Sequence, residues 1–208
     1  TNSSNENSRQ EFMPGEVLDK LRERIIGELS QNNNESFMRD GIDMTLIKIN
    51  HSKDSGYLNI QFAGARNSLY VVRNEIVDEI EDLNIKYYQK DEEIKHERIK
   101  PFKNSNDGIE IKGDKQGVGF DEGSKEPFTT VSLQLKKGDM LYFLSDGFPD
   151  QFGRKTDKKF RYGPFKDLLL NIHDKPAGEQ QKILDHKFEE WKGNTEQVDD
   201  VCVVGVRA

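Results

Sequence analysis

Leu135-Lys-Lys-Gly-Asp-Met-Leu-Tyr-Phe-Leu-Ser-Asp-Gly147 decides the fold. It opens at the end of Val131–Leu135, where apolar and polar residues alternate as they do in a strand with one buried face. Lys136-Lys-Gly-Asp139 then supplies a tight turn, since glycine and aspartate there suit conformations that other residues resist. Met140–Leu144 follows as a nearly unbroken apolar strand, expected to be buried on both faces. It ends abruptly in the polar triplet Ser145-Asp146-Gly147.

A second apolar run, Val201-Cys-Val-Val-Gly-Val206, closes the chain and is read as another buried strand, preceded by Asp199-Asp200. If the two apolar strands are antiparallel neighbours, the exit of the first and the entrance of the second share one edge of a sheet. Asp146 and Asp199 then converge from distant parts of the chain. Close carboxylates repel unless a proton or cation lies between them, and hard ions such as magnesium and manganese prefer oxygen ligands. Such an ion acidifies water, which is hydrolytic chemistry suited to a phosphoryl group. Asp-Gly after a strand is also a common turn, and Asp-Asp before one a common solvated loop, so spacing alone leaves both readings open.

Residues 1–12 are polar and aperiodic and read as a flexible lead-in to a single unit spanning 13–208. After Pro14-Gly15, Val17, Leu18, Leu21, Ile25, Ile26 and Leu29 recur at helical spacing. Met44–Asn50 and Leu58–Ala63 read as a hairpin, followed by the small Gly64 and Ala65, and Leu69–Val72 reads as the next strand of the same meander. From 74 to 106 charges crowd together, so this stretch reads as a solvated surface insertion. Ile109–Ile111 reads as a short strand, and Gly113, Gly117 and Gly119 mark a loop. Two helices are expected near Phe165–Ile172 and from Pro176 to Gly193. This order of elements fits an α+β layered domain better than alternating β/α units.

The charge of -7 argues against a nucleic-acid binder, because phosphate backbones select a surplus of Lys and Arg. Hydrophobic and charged residues each make up 33%, so the core must be concentrated in a few segments. Cys202 is the single cysteine; no internal disulfide is possible, which favours a cytoplasmic setting, and the residue reads as core. No run is long and apolar enough for a membrane span, so no direct membrane contact is expected. His51, His96, His173 and His186 form no ligand pattern, and Trp191, Met44 and Met140 read as core. Asp43, just before a strand, could approach the acidic edge, but a turn or strand-entry role is the favoured reading.

The stretch Leu135–Gly147 resembles the strand-turn-strand ending in Ser/Thr-Asp-Gly of the metal-dependent protein serine/threonine phosphatases (the PPM family), in their bacterial sporulation-phosphatase (SpoIIE/RsbU) branch. Phe148-Pro-Asp-Gln-Phe-Gly153, Phe188-Glu-Glu-Trp-Lys-Gly193, Gln197–Gly205, Phe62-Ala-Gly-Ala-Arg-Asn67 and Gly113–Gly119 resemble the same branch. The resemblance implies a four-layer α-β-β-α sandwich of antiparallel sheets and a binuclear magnesium or manganese site. It implies Asp146 and Asp199 as catalytic metal ligands, Gly147 beside the metal, and Asp200 orienting a ligand or water next to them. The family's upstream Gly-Asp and Asp-Gly-His-Gly motifs do not precede Pro14, so the chain is expected to hold the later part of a domain without its first strands. The implied activity is hydrolysis of phosphoserine or phosphothreonine on a regulatory protein in bacterial signal transduction, with a sensor domain upstream. The alternative is an inactive phosphatase-like module that binds a partner. A sheet edge left open would favour a homodimer.

Overall fold

Helix α1 (Pro14–Gln31) begins at a proline, whose missing N–H costs nothing in a first turn, with Glu16 near the positive end of the helix dipole. Leu18 is fully buried, Leu21 and Ile25 partly, while Val17 is 40% exposed and lies off the packed stripe. The computed structural model describes residues 12–31, 41–51, 56–74, 83–103, 105–119, 126–154 and 157–208; the lead-in falls almost wholly outside them.

The strands are β1 (Gly41–Ile42), β2 (Met44–His51), β3 (Tyr57–Ala65), β4 (Leu69–Val72), β5 (Lys86–Gln89) and β6 (Glu92–Ile94). They continue as β7 (Ile99–Phe102), β8 (Ser105–Ile111), β9 (Val118–Gly119), β10 (Thr130–Lys136) and β11 (Met140–Leu144). After the short helix α2 (Gly147–Asp150) come α3 (Tyr162–Ile172), α4 (Ala177–Lys192) and β12 (Val203–Arg207). One five-stranded sheet has the order β2-β3-β10-β5-β6 and the other β12-β11-β4-β8-β7, with β1 and β9 pairing separately.

The two large sheets stack face to face. In the first, β10 and β3 place Val131 opposite Phe62, Leu133 opposite Ile60 and Leu135 opposite Leu58, so one face is a continuous apolar layer. It packs on Leu69, Val71, Ile109, Ile111 and Leu141 from the second sheet. The opposite face of that second sheet, carrying Tyr70, Val72, Met140, Tyr142 and Leu144, packs on Phe165, Leu169 and Phe188 of α3 and α4. Helix α1 covers the outer face of the first sheet through Leu18, Ala63, Ala65 and Phe128. The result is the α-β-β-α sandwich of antiparallel sheets that the resemblance implied.

Several expectations need correction. Strand β4 does not extend the β2–β3 meander: after Arg66 in the left-handed region (φ 59) the chain crosses to the second sheet, where β4 pairs with β11 and β8. Gly64 and Ala65 lie within β3 rather than after it, and the short strand at Ile109 starts at Ser105. The charged stretch 74–106 is not a solvated excursion where it is described. Its β5 and β6 widen the first sheet and its β7 widens the second. Leu83, Tyr87 and Phe102 anchor it in the core while its charges line exposed edges. Strand β12 is an edge strand, only half-buried, because one side of it has no neighbour among the described residues. Cys202 precedes it and is exposed rather than core.

Candidate metal centre

Strands β11 and β12 are antiparallel neighbours, with Leu144 opposite Val203. Beyond that last pair the two chains stay joined. Ser145 N donates to the carbonyl of Cys202 at 3.0 Å, Ser145 Oγ donates to the carbonyl of Asp200 at 2.7 Å, and Cys202 N donates back to Ser145 Oγ at 2.9 Å. A serine here clasps the Asp-Asp segment to the end of β11.

Gly147 shows why the next position carries no side chain. A Cβ built there would lie 2.4 Å from the carbonyl oxygen of Asp200 and 3.2 Å from that of Asp199, so any larger residue pushes the two segments apart. Its contact is with protein backbone, which accounts for the glycine without reference to a ligand.

Asp146 sits at the head of α2, and its carboxylate makes no capping hydrogen bond to the helix. Burial raises its pKa above the usual carboxylate range, and the charges of Asp199, Asp150 and Asp43 raise it further. Asp199 Oδ1 accepts a hydrogen bond from Asp200 N at 2.7 Å, which holds the Asp199 carboxylate by its own backbone. Asp150 is paired with Lys159 at 2.7 Å and Asp43 with Arg66 at 3.2 Å.

The structure thus brings Asp146, Gly147, Asp199 and Asp200 to one rim, at the edge the strand order predicted. It also brings Tyr162 and Arg66 near that rim, which the sequence does not place there, and Asp43, for which the less favoured reading holds. Tyr162 at the start of α3 has its phenol pushed up to about 12 by burial and then by the charges of Asp146 and Asp150. Asp43, read as a strand-entry residue, contributes to the field at Asp146. Arg66 was visible in the Phe62–Asn67 motif, but its left-handed backbone and its pairing to Asp43 leave no sequence signal beyond that motif.

The donor chemistry fits a hard divalent cation: oxygen-only, acidic, and mutually repelling. Asp146 and Asp199 are the residues that would hold it. Among the described residues no three His, Cys, Asp or Glu side chains are gathered as a ready-made metal cluster.

Beside this rim opens a cleft of about 430 Å³ whose walls include Leu144, Tyr162, Arg66, Lys112 and Lys115. Its floor is held by backbone contacts: Asp114 N donates to the Gly64 carbonyl at 2.7 Å and Arg66 N to the Asp114 carbonyl at 2.8 Å. The buried Asp114 carboxylate accepts from Arg98 at 2.7 Å and from Thr129 N at 2.9 Å.

A family model described as stage II sporulation protein E (SpoIIE) matches residues 102–208 of the 208, just over half of the chain. Among curated proteins none matches. Among solved structures, the SiaA-PP2C domain of Pseudomonas aeruginosa superposes with a TM-score of 0.56 at 19% identity, covering 94% of this chain and 69% of that one. The phosphatase domain of the cell fate determinant SpoIIE from Bacillus subtilis (Mn presoaked) gives 0.45 at 16% identity, covering 97% and 76%. The first of these likenesses supports the α-β-β-α fold.

Proposed function

The chain belongs to the stage II sporulation protein E family, and from that premise we propose that it serves the metal-dependent removal of phosphate from phosphoserine or phosphothreonine on a regulatory protein in the cytoplasm. The observation that carries this reading is the convergence of the Asp146 and Asp199 segments on one rim, where β11 and β12 pair and Ser145 and Gly147 abut the Asp-Asp backbone. Such a pair is costly to keep ionised and becomes favourable once a divalent cation joins it. Magnesium or manganese held there supplies Lewis acidity toward water and toward the phosphoryl oxygens.

The chain's own residues set the stage for that chemistry. Ser145 and Gly147 fix the spacing between the two acidic segments through the clasp and the close backbone approach. Asp200, through its backbone N–H, holds the Asp199 carboxylate in place, and its own side chain is exposed beside it. Tyr162, its phenol pushed up to about 12, stays protonated at neutral pH and lines the cleft beside the rim.

Manganese-dependent hydrolysis of p-nitrophenyl phosphate and of a phosphoserine peptide tests the reading. Asp146→Asn and Asp199→Asn are each expected to lower turnover by on the order of a hundredfold or more, beyond what outer partners of a metal ligand usually cost. Unchanged turnover in either variant removes that residue from the mechanism.

One observation favours a second reading, that of a phosphatase-like module which binds a partner without turnover. It is the small number of candidate ligands gathered at the rim among the described residues. Calorimetric titration with manganese separates the two: binding that disappears in Asp146→Asn supports the enzyme, and no binding supports the module.

A further inference from the structure

The cleft beside the acidic rim carries cations that no acid among the described residues pairs with. Two acids also line it, but each is already neutralised. Glu110 is paired with Lys166 at 2.7 Å and Asp114 with Arg98 at 2.7 Å. Lys112 and Lys115 are exposed, and among the described residues neither forms an ion pair. A basic trough therefore runs up to an acidic rim, in a chain whose overall charge is -7. Leu144, two residues before Asp146, and Tyr162 both line the trough.

The trough is also rigid. A Cβ at Gly64 would lie 2.1 Å from the Asn67 carbonyl oxygen, and one at Gly113 would lie 2.3 Å from the same atom, so β3 and the segment after β8 touch backbone to backbone. Arg66, beside this contact, holds a left-handed backbone (φ 59) that is unfavourable for a residue with a side chain.

We propose that this cleft seats the acidic flank of the phosphorylated protein substrate, with Lys112 and Lys115 reading carboxylates next to the phosphorylated residue. The proposal rests on the phosphatase reading for the identity of the substrate, and on the cleft alone for its charge preference. Lysines act as flexible point charges rather than planar forks, so they select by charge, without demanding one fixed geometry. Complementary charge mainly speeds encounter and excludes wrong partners, and it weakens as salt screens it.

Fluorescence anisotropy of labelled phosphoserine peptides tests this without needing turnover. One peptide has aspartates around the phosphoserine and the other has lysines, and each is titrated with the full chain at low and at physiological salt. The wild-type chain is expected to bind the acidic-flanked peptide roughly tenfold more tightly at low salt, with the margin shrinking as salt rises. Lys112→Glu combined with Lys115→Glu should abolish or reverse the preference, and the milder Lys112→Gln with Lys115→Gln should reduce it. Circular dichroism of both variants reports folding. Equal affinity for the two peptides overturns the proposal, as does a preference that survives both variants. An oligonucleotide of similar charge that displaces the acidic peptide equally well overturns the assignment to a protein substrate. Turnover of p-nitrophenyl phosphate by the wild-type chain reports separately on the phosphatase reading. Loss of that reading with the flank preference intact leaves a peptide-binding cleft, and turnover without a preference leaves a phosphatase whose cleft does not read charge.

Discussion

Partial desolvation makes the charge of Asp146 costly, and the charges of Asp199, Asp150 and Asp43 add to that cost. Its folded pKa is raised above the unfolded value of 3.8, so the fold binds this proton more readily than the unfolded chain does. Stability is therefore lost as pH rises from the unfolded pKa through the folded one, and the loss is complete above it. Asp146→Asn removes that cost. Without added metal the variant is expected to melt slightly higher than wild type at pH 8 and at the same temperature near pH 3. The rim is exposed, so solvent screening keeps the gain small. A lower melting temperature at pH 8 would contradict the account. Gly147→Ala acts in the opposite direction. Its methyl group meets the Asp200 carbonyl, and a cost of about 1–3 kcal/mol, typical of overpacking, is expected in chemical denaturation. Asp146 and Asp199 were legible in the sequence because each borders an apolar strand. Asp43 was legible only as the less favoured alternative, and Tyr162 and Arg66 were not legible, because they come near the rim only through the chain crossing between sheets and the placement of α3.

At the scale of elements, α4 is fastened to the second sheet by one polar side chain. Gln180, 4% exposed, accepts from Tyr142 Oη at 2.7 Å and donates to the carbonyls of Lys175 at 2.8 Å and His173 at 3.2 Å. Gln180→Ala leaves the buried Tyr142 hydroxyl without this partner and is expected to cost about 1–3 kcal/mol in denaturant unfolding. A change within a few tenths of a kcal/mol would show that water replaces the amide. Helices α1, α3 and α4 were legible because their apolar residues repeat at helical spacing between clear stop signals. The strands within 83–103 were not. They are short and edge-forming, and their charged residues mask the alternation that Leu83, Tyr87 and Phe102 carry inward. Sheet membership was equally hidden, since a tight turn reads alike whether the chain returns along its neighbour, as between β2 and β3, or crosses to the facing sheet, as between β10 and β11.

The whole molecule depends on that second kind of turn. Asp139 lies where the chain crosses between sheets: its Oδ2 accepts from Lys136 N at 2.9 Å, its Oδ1 accepts from Asn74 N at 3.0 Å, and Arg73 Nε lies 3.1 Å away. The Arg73 contact is one of charge, since its angle does not make a hydrogen bond. Both side chains are nearly fully buried, so Asp139→Ala strands the arginine's charge and is expected to cost about 3–5 kcal/mol. The same crossing sends β11 toward β12 and so delivers Asp146 to Asp199. The central claim is that these two carboxylates jointly hold a divalent cation, and isothermal titration of the chain with manganese tests it most directly. The account predicts measurable binding by the wild-type chain and at least a tenfold loss in both Asp146→Asn and Asp199→Asn, in proteins that remain folded. Binding of equal strength in all three, or none in the wild type, would contradict it.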